Sequence, residues 1–120
     1  MKVPTPPEGS QRAGRRLWSS VVDVYDLDEH ELTLLREATR TVDLLSELDA
    51  AVRADGALVP SPQGVKANPA AVEARQQRIA LARLLAALRL PAGGEDDQQA
   101  SARPPRKVGV RGVCAVRRVS

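Results

Sequence analysis

The chain has 120 residues, 42% of them apolar and 28% charged, and a formal net charge of +3. This composition is ordinary for a globular protein, and the length allows one domain with tails. No stretch approaches the ~18 consecutive apolar residues of a membrane span, and no apolar segment near Met1 indicates a secretory signal. The single cysteine, Cys114, excludes an intramolecular disulfide. We therefore expect an intracellular protein in a reducing compartment.

Positive charge is concentrated at the two ends of the chain. Residues 1–16 carry four basic residues against one acidic residue, residues 17–91 carry eight against eleven, and residues 92–120 carry six against three. Basic arms beside an acidic body are typical of a protein with a polyanionic partner. Solubilising ends would explain the same distribution.

The first predicted helix runs from about Arg15 to Tyr25, after a Pro-, Gly- and Ser-rich segment that we expect to be extended or disordered. Apolar side chains recur on one face of this helix: Leu17, Trp18, Val21, Val22 and Tyr25. Trp18 offers the largest burial and is the predicted anchor of that face.

A long second helix is predicted from Asp28 to Asp55. Asp28 and Glu31 form a capping-box signal at its start, and Gly56 has the position of a left-handed C-terminal residue. In residues 57–67 the two prolines forbid a long β-ladder, so we expect a small β-hairpin or an irregular loop.

Asn68 and Pro69 are a favoured N-cap and first residue for a third helix, which runs to about Leu90. This helix is apolar over a wide arc. One stripe holds Val72, Ile79, Ala82 and Ala86, and the adjacent stripe holds Leu81, Leu84, Leu85 and Leu88. Packing on one antiparallel helix does not cover both stripes, so we expect a second partner, which is either another subunit or the first helix.

The residues predicted to pack the core or an oligomer interface are Trp18, Leu45, Leu48, Val52, Ile79, Leu81, Leu84, Leu85 and Leu88.

No catalytic constellation can be assembled from the chain. There is no P-loop motif, and one His and one Cys do not supply a usual zinc site. His30 is expected to be an exposed helix residue. We therefore predict a non-enzymatic protein with no catalytic residue, metal, cofactor or small-molecule substrate.

Basic residues are the positive functional signal. Arg12, Arg15 and Arg16 lie at the start of the first helix, where they could contact phosphates or guanine edges. The chain lacks the aromatic platform of single-strand binders, so duplex DNA is the expected ligand. The predicted DNA-binding residues are Lys2, Arg12, Arg15, Arg16, Arg103, Arg106, Lys107, Arg111, Arg117 and Arg118.

The order of segments between Leu17 and Pro91 resembles the terminase small subunits of tailed bacteriophages. The matching parts are LW in the first helix, YDLDEHELTLL before and into the second, ADG at its end, the linker VPSPQGVKANP, and VEARQQRIALARLLAALRLP. The resemblance implies a helical protomer that assembles into a ring, recognises the packaging-initiation site of viral DNA, and delivers that DNA to a large subunit with ATPase and nuclease activity. It also implies a location in the cytoplasm of the infected bacterial host.

We therefore predict an all-α, ring-forming protomer with a short helix and a long helical hairpin, and with a small β-hairpin or loop between the two long helices. Residues 1–13 would form a flexible basic arm, residues 14–91 the helical core and oligomerisation domain, and residues 92–120 a flexible basic tail. The predicted partners are double-stranded viral DNA, the terminase large subunit and further copies of the chain, with no membrane. Two alternatives remain open: a small dimeric DNA-binding regulator, and a helical scaffold or interaction protein.

Overall fold

The computed structural model describes residues 3–91 and the backbone of residues 106–107. Its elements, in chain order, are α1 (Arg12–Val22), β1 (Tyr25–Asp26), α2 (Glu29–Asp55), β2 (Leu58–Ser61), β3 (Gly64–Ala67), α3 (Pro69–Leu88) and β4 (Arg106–Lys107). The described part is predominantly helical, as the sequence predicted. The long helix α2 packs against both α1 and α3 and is therefore the central element of the fold.

The first helix differs from its prediction at both ends. It begins at Arg12 instead of Arg15, and it ends at Val22 instead of Tyr25. Tyr25 belongs to β1, where its backbone pairs with Lys107 of β4 in antiparallel register. The predicted helix was too long at this end because periodicity alone does not distinguish the last turn of a helix from an aromatic residue in a following strand.

The second helix was predicted closely, because its signals are local. The backbone N–H of Asp28 donates to Glu31 Oε1 at 2.7 Å, which is one half of the expected capping box. At the other end Gly56 has φ +89°. That angle is costly for residues with a Cβ and free for glycine, so the chain can leave the helix here without strain.

A two-stranded β-hairpin joins α2 to α3. Leu58 pairs with Ala67 and Ser61 with Gly64, so Pro62 and Gln63 form a two-residue turn. Of the two conformations that the sequence allowed for this linker, the hairpin is the one that forms. Pro60 lies in a strand of a sheet with only two members, where a missing N–H costs little.

The third helix begins as predicted. Asn68 Oδ1 accepts a hydrogen bond from the Ala70 N–H at 2.9 Å, and Pro69 is the first helical residue. The Asn68 amide also donates to the Gly56 carbonyl oxygen at 2.7 Å. One side chain therefore caps the start of α3 and fixes it to the end of α2. The helix ends at Leu88, before the predicted Leu90, because Arg89 adopts a left-handed conformation with φ 58°.

The core lies where α1, α2 and the C-terminal end of α3 meet. Trp18, Val21, Val22, Leu35 and Leu88 are buried together there, and partly buried side chains such as Leu85 and Leu90 pack against them. Farther along the α2–α3 pair, burial is sparse, with Leu45 and Ala74 as buried apolar residues. Within residues 3–91, no helix has the length and the hydropathy needed to cross a membrane.

Candidate nucleic-acid interface

A carboxylate from α2 holds the N-terminus of α1. Asp43 Oδ2 accepts a hydrogen bond from the Gln11 N–H, and Asp43 Oδ1 accepts one from the Gly14 N–H, each at 2.7 Å. These are the N-cap and third-residue N–H groups, the two donors that a capping box normally satisfies with local side chains. A single buried residue, 32 positions from Gln11 and 29 from Gly14 along the chain, satisfies both.

Glycine at position 14 is what allows this approach. A Cβ at Gly14 would overlap Asp43 Oδ2, and it would lie 2.8 Å from Asp43 Cγ and 2.9 Å from Thr39 Cγ2. The contact between α1 and α2 at this point is therefore too close for any side chain. It fixes both the position and the direction of the first turn of α1.

The segment before α1 also contacts the core. The indole Nε1–H of Trp18 donates to the Pro4 carbonyl oxygen at 3.0 Å, and Val3 packs against the cluster around Trp18. Residues 3–10 contain no helix or strand. The described part of the predicted N-terminal arm thus follows an irregular path that is tied to α1.

The exposed face of α1 carries the three predicted arginines. Arg12, Arg15 and Arg16 are all exposed, and Arg15 donates one guanidinium hydrogen bond to the Ser10 carbonyl. Among residues 3–91, none of the three arginines forms an ion pair. They border an open depression whose other described lining residues are Ser19, Ser20, Asp23 and Val24. The structure therefore brings this part of the predicted site together on one accessible surface.

Arginines at this end of a helix oppose the usual stabilising pattern. The N-terminus of a helix carries a partial positive charge, which favours acidic residues there and disfavours basic ones. No acidic residue lies in the first turn of α1, and Arg12 is its first residue. The Asp43 carboxylate already accepts hydrogen bonds from this helix end, so the exposed positive charge of the surface comes from the three arginines. Such a surface can attract an anion, and a phosphate group is one that arginine binds well.

A second basic segment approaches α1 from the other end of the sequence. β4 pairs with β1, with Lys107 opposite Tyr25 and Arg106 opposite Asp26. Because β1 follows α1 almost directly, the backbone of these two predicted DNA-binding residues lies near the C-terminal end of α1. The other predicted DNA-binding residues lie outside the described residues: Lys2, Arg103, Arg111, Arg117 and Arg118.

The structure divides the predicted packing residues into three groups. Trp18, Leu45 and Leu88 are buried; Leu48, Val52, Leu81, Leu84 and Leu85 are half-buried; and Ile79 is exposed. The stripe that contains Leu81, Leu85 and Leu88 is thus at least partly covered within the protomer, whereas Ile79 is available to another molecule.

Neither aromatic side chain provides a stacking platform. Trp18 is buried and Tyr25 is half-buried, and the chain contains no other Phe, Trp or Tyr.

Asp28, His30 and Glu31 form a group whose potential metal-ligand atoms lie within 4.8 Å of one another. His30 is exposed, as the sequence predicted, and the capping box accounts for the two carboxylates.

The sequence pattern around Asp43 does not mark it as the residue that positions the arginine-bearing helix. Its neighbours along α2 are an ordinary mixture of polar and apolar side chains, so nothing local marks it. The available signal was Gly14, because a glycine near the start of a helix lowers helix stability and is therefore expected where another group packs too closely for a side chain.

Comparison of the chain with family models, curated proteins and solved structures finds no match.

Proposed function

We propose that this protein is a non-enzymatic DNA-recognition subunit of the terminase small-subunit type. In this proposal it self-associates, binds the packaging-initiation site of viral duplex DNA, and recruits or regulates a large subunit that supplies ATPase and nuclease activity. It would act in the cytoplasm of the infected bacterial host. The observation that carries the DNA-binding part is the exposed arginine face at the N-terminus of α1, which has no ion-pair partner among residues 3–91.

The physical basis of binding is a set of phosphate contacts arranged by a fixed helix. Asp43 and Gly14 hold the first turn of α1 against α2, so the arginines start from a defined backbone position. Arg12 and Arg16 are one helical turn apart and project from the same side. Phosphate contacts of this kind set orientation and much of the affinity, whereas base contacts or DNA shape set the sequence preference.

Repetition would strengthen these contacts. A single copy offers few basic side chains on α1, and a few phosphate contacts give weak, salt-dependent binding. An assembly that presents several copies of α1 to one duplex converts the later contacts into intramolecular events and raises the total affinity. The absence of an exposed aromatic side chain among residues 3–91 favours duplex DNA over a single strand.

The experiment is a fluorescence-anisotropy titration of duplex DNA with the full chain and with the double variant Arg15→Ala, Arg16→Ala. We expect weaker binding by the variant, and a plot of log affinity against log salt whose slope falls by about 0.9 for each phosphate contact removed. Arg36→Ala, Arg53→Ala is the matched control, since it removes the same charge from α2. Light scattering should give the same mass for both variants as for the unaltered chain.

Equal affinity and an equal salt slope in the two double variants would rule out α1 as the DNA-binding face. No binding by the unaltered chain at low salt would refute the proposed function and favour a scaffold protein. A dimeric mass together with a preference for a palindromic site would favour the dimeric regulator.

A further inference from the structure

The outer face of α3 is an apolar stripe that the protomer leaves uncovered. Val72 is 42% exposed and Ile79 is 43% exposed. Ala82 and Ala86 are exposed as well. At about 100° per residue this stripe lies away from the side of Ala74, which is buried against α2. The stripe is bordered by two exposed arginines, Arg75 and Arg83, and neither has an ion-pair partner among residues 3–91.

The outer face of α2 carries the matching pattern. Leu44 is exposed, Glu47 and Asp55 are exposed, and Ala51 lies half-buried between them. The ion pairs within residues 3–91 involve neither Glu47 nor Asp55. This face therefore presents two free carboxylates with apolar side chains between and beside them. A shallow depression between residues 8–11 and α2 borders its Leu44 end.

The two faces have the same spacing when their helices run antiparallel. From Leu44 the α2 residues follow at steps of three, four and four, and from Ala86 the α3 residues follow backwards at the same steps. The resulting pairs are Leu44 with Ala86, Glu47 with Arg83, Ala51 with Ile79, and Asp55 with Arg75. Every pair is either apolar or of opposite charge.

We propose that the outer face of α3 docks on the outer face of α2 of a second copy of this chain, in this antiparallel register. The proposal rests on the self-association included in the proposed function, and it names the surfaces that mediate it. Because the two faces are different, a pair of copies joined in this way retains one free α2 face on one copy and one free α3 face on the other. The contact is heterologous, so it builds a ring where the rotation between copies closes.

Charge disfavours the simplest alternative, a symmetric dimer through α3 alone. In an antiparallel α3–α3 contact centred on Ile79, Arg75 of one copy would lie opposite Arg83 of the other. Like charges placed across a helix contact repel each other. The α2 face supplies carboxylates at the same spacing, and its occupation by α3 removes this repulsion. The sparse burial along the α2–α3 pair gives the additional contact a clear stabilising role.

The test uses two variants of the full chain, measured by size exclusion with light scattering. Ile79→Glu disables the α3 face, and the double substitution Glu47→Arg, Asp55→Arg disables the α2 face. Each variant alone should have the mass of a monomer, 12.9 kDa. When the two are mixed, one intact α3 face meets one intact α2 face, and a species of twice that mass should form. Arg53→Glu, on a different part of α2, is the control and should assemble like the unaltered chain.

Charge exchange then tests the register. Arg75→Glu, Arg83→Glu should abolish assembly alone, and it should restore assembly when it is combined in one chain with Glu47→Arg, Asp55→Arg. The single exchange Arg83→Glu with Glu47→Arg should restore more assembly than Arg83→Glu with Asp55→Arg, which are two turns out of register. Circular dichroism checks the helix content of every variant.

The proposal is overturned if the unaltered chain is a monomer at high concentration, if the face variants assemble as it does, or if the mixed variants form no dimer. DNA binding is measured separately on the monomeric Ile79→Glu variant, which retains Arg12, Arg15 and Arg16 and gains no basic residue. Weak binding by this monomer with loss of assembly supports both ideas. Assembly as proposed without any DNA binding would refute the proposed function and leave this interface standing.

Discussion

Replacing Gly14 with alanine would test the close contact between α1 and α2. The added Cβ would overlap Asp43 Oδ2 and come within 2.8 Å of Asp43 Cγ. The carboxylate must then move away from two N–H groups that it now accepts at 2.7 Å. Hydrogen bonds to a charged group contribute about 1.5 kcal/mol or more each. Alanine restores up to about 1 kcal/mol of helix propensity. We therefore expect a net loss of roughly 2 kcal/mol in the free energy of unfolding, from these two magnitudes.

The measurement is urea denaturation at fixed protein concentration, followed by far-UV circular dichroism and by the fluorescence of the buried Trp18. For a domain of this size the expected loss corresponds to a fall in melting temperature of roughly 8–16 °C. Asp43→Ala and the double variant complete a thermodynamic cycle. Once the carboxylate is gone, Gly14→Ala should cost less, although the added Cβ would still lie 2.9 Å from Thr39 Cγ2. The coupling energy between the two sites should therefore be a large part of the cost in the unaltered chain.

The inferred role of the Gly14–Asp43 contact is refuted if Gly14→Ala changes the free energy of unfolding by less than about 0.5 kcal/mol, the size of an ordinary surface substitution. It is also refuted if the substitution costs the same with and without Asp43.

The Asp43 cap should also affect DNA binding. Loss of the Asp43 cap should loosen the first turn of α1, so Asp43→Ala should weaken duplex binding although it removes a negative charge. Stronger binding by that variant would mean that charge outweighs helix positioning.

Substitutions at three further positions probe the rest of the fold, each with urea denaturation as the measurement. Asn68→Ala removes both the α3 cap and the bond to the Gly56 carbonyl and should cost about 1–2 kcal/mol. Asn68→Ser keeps a capping oxygen without placing a second acceptor against the Gly56 carbonyl, so it should cost less, and equal losses would contradict the capping role. Gly56→Ala should cost about 1–3 kcal/mol because its φ is +89° and its ψ is 169°, a backbone region that essentially only glycine adopts. Gly56→Asn should cost a similar amount, and a clearly smaller loss for asparagine would contradict this reason. Arg78→Ala should cost under about 1 kcal/mol, because the Arg78 and Asp49 side chains are 56% and 36% exposed, and a larger loss would indicate an unrecognised contact.

Local signals determined much of this fold. The Asp28 and Glu31 box, Gly56, and the Asn68–Pro69 pair each act within a few residues, so the boundaries of α2 and the start of α3 could be predicted from the sequence. The face of α1 that would be buried was also predictable, because burial on a helix follows its period. The exposed arginine face was predictable for the same reason, because the polar side chains of a short amphipathic helix lie on the side that faces solvent.

Contacts between distant residues were decided by the tertiary structure. The start of α1 depends on Asp43, and the strand at Tyr25 depends on pairing with Lys107, neither of which any local pattern encodes. The two apolar stripes of α3 were visible in the sequence, but which stripe would be left exposed was not. That choice depends on where α1 and α2 lie against α3, because burial of one face by one neighbour decides which other face remains exposed. Local sequence patterns thus specified the three helices and their amphipathic faces, whereas the packing of the helices determined which of those faces meet.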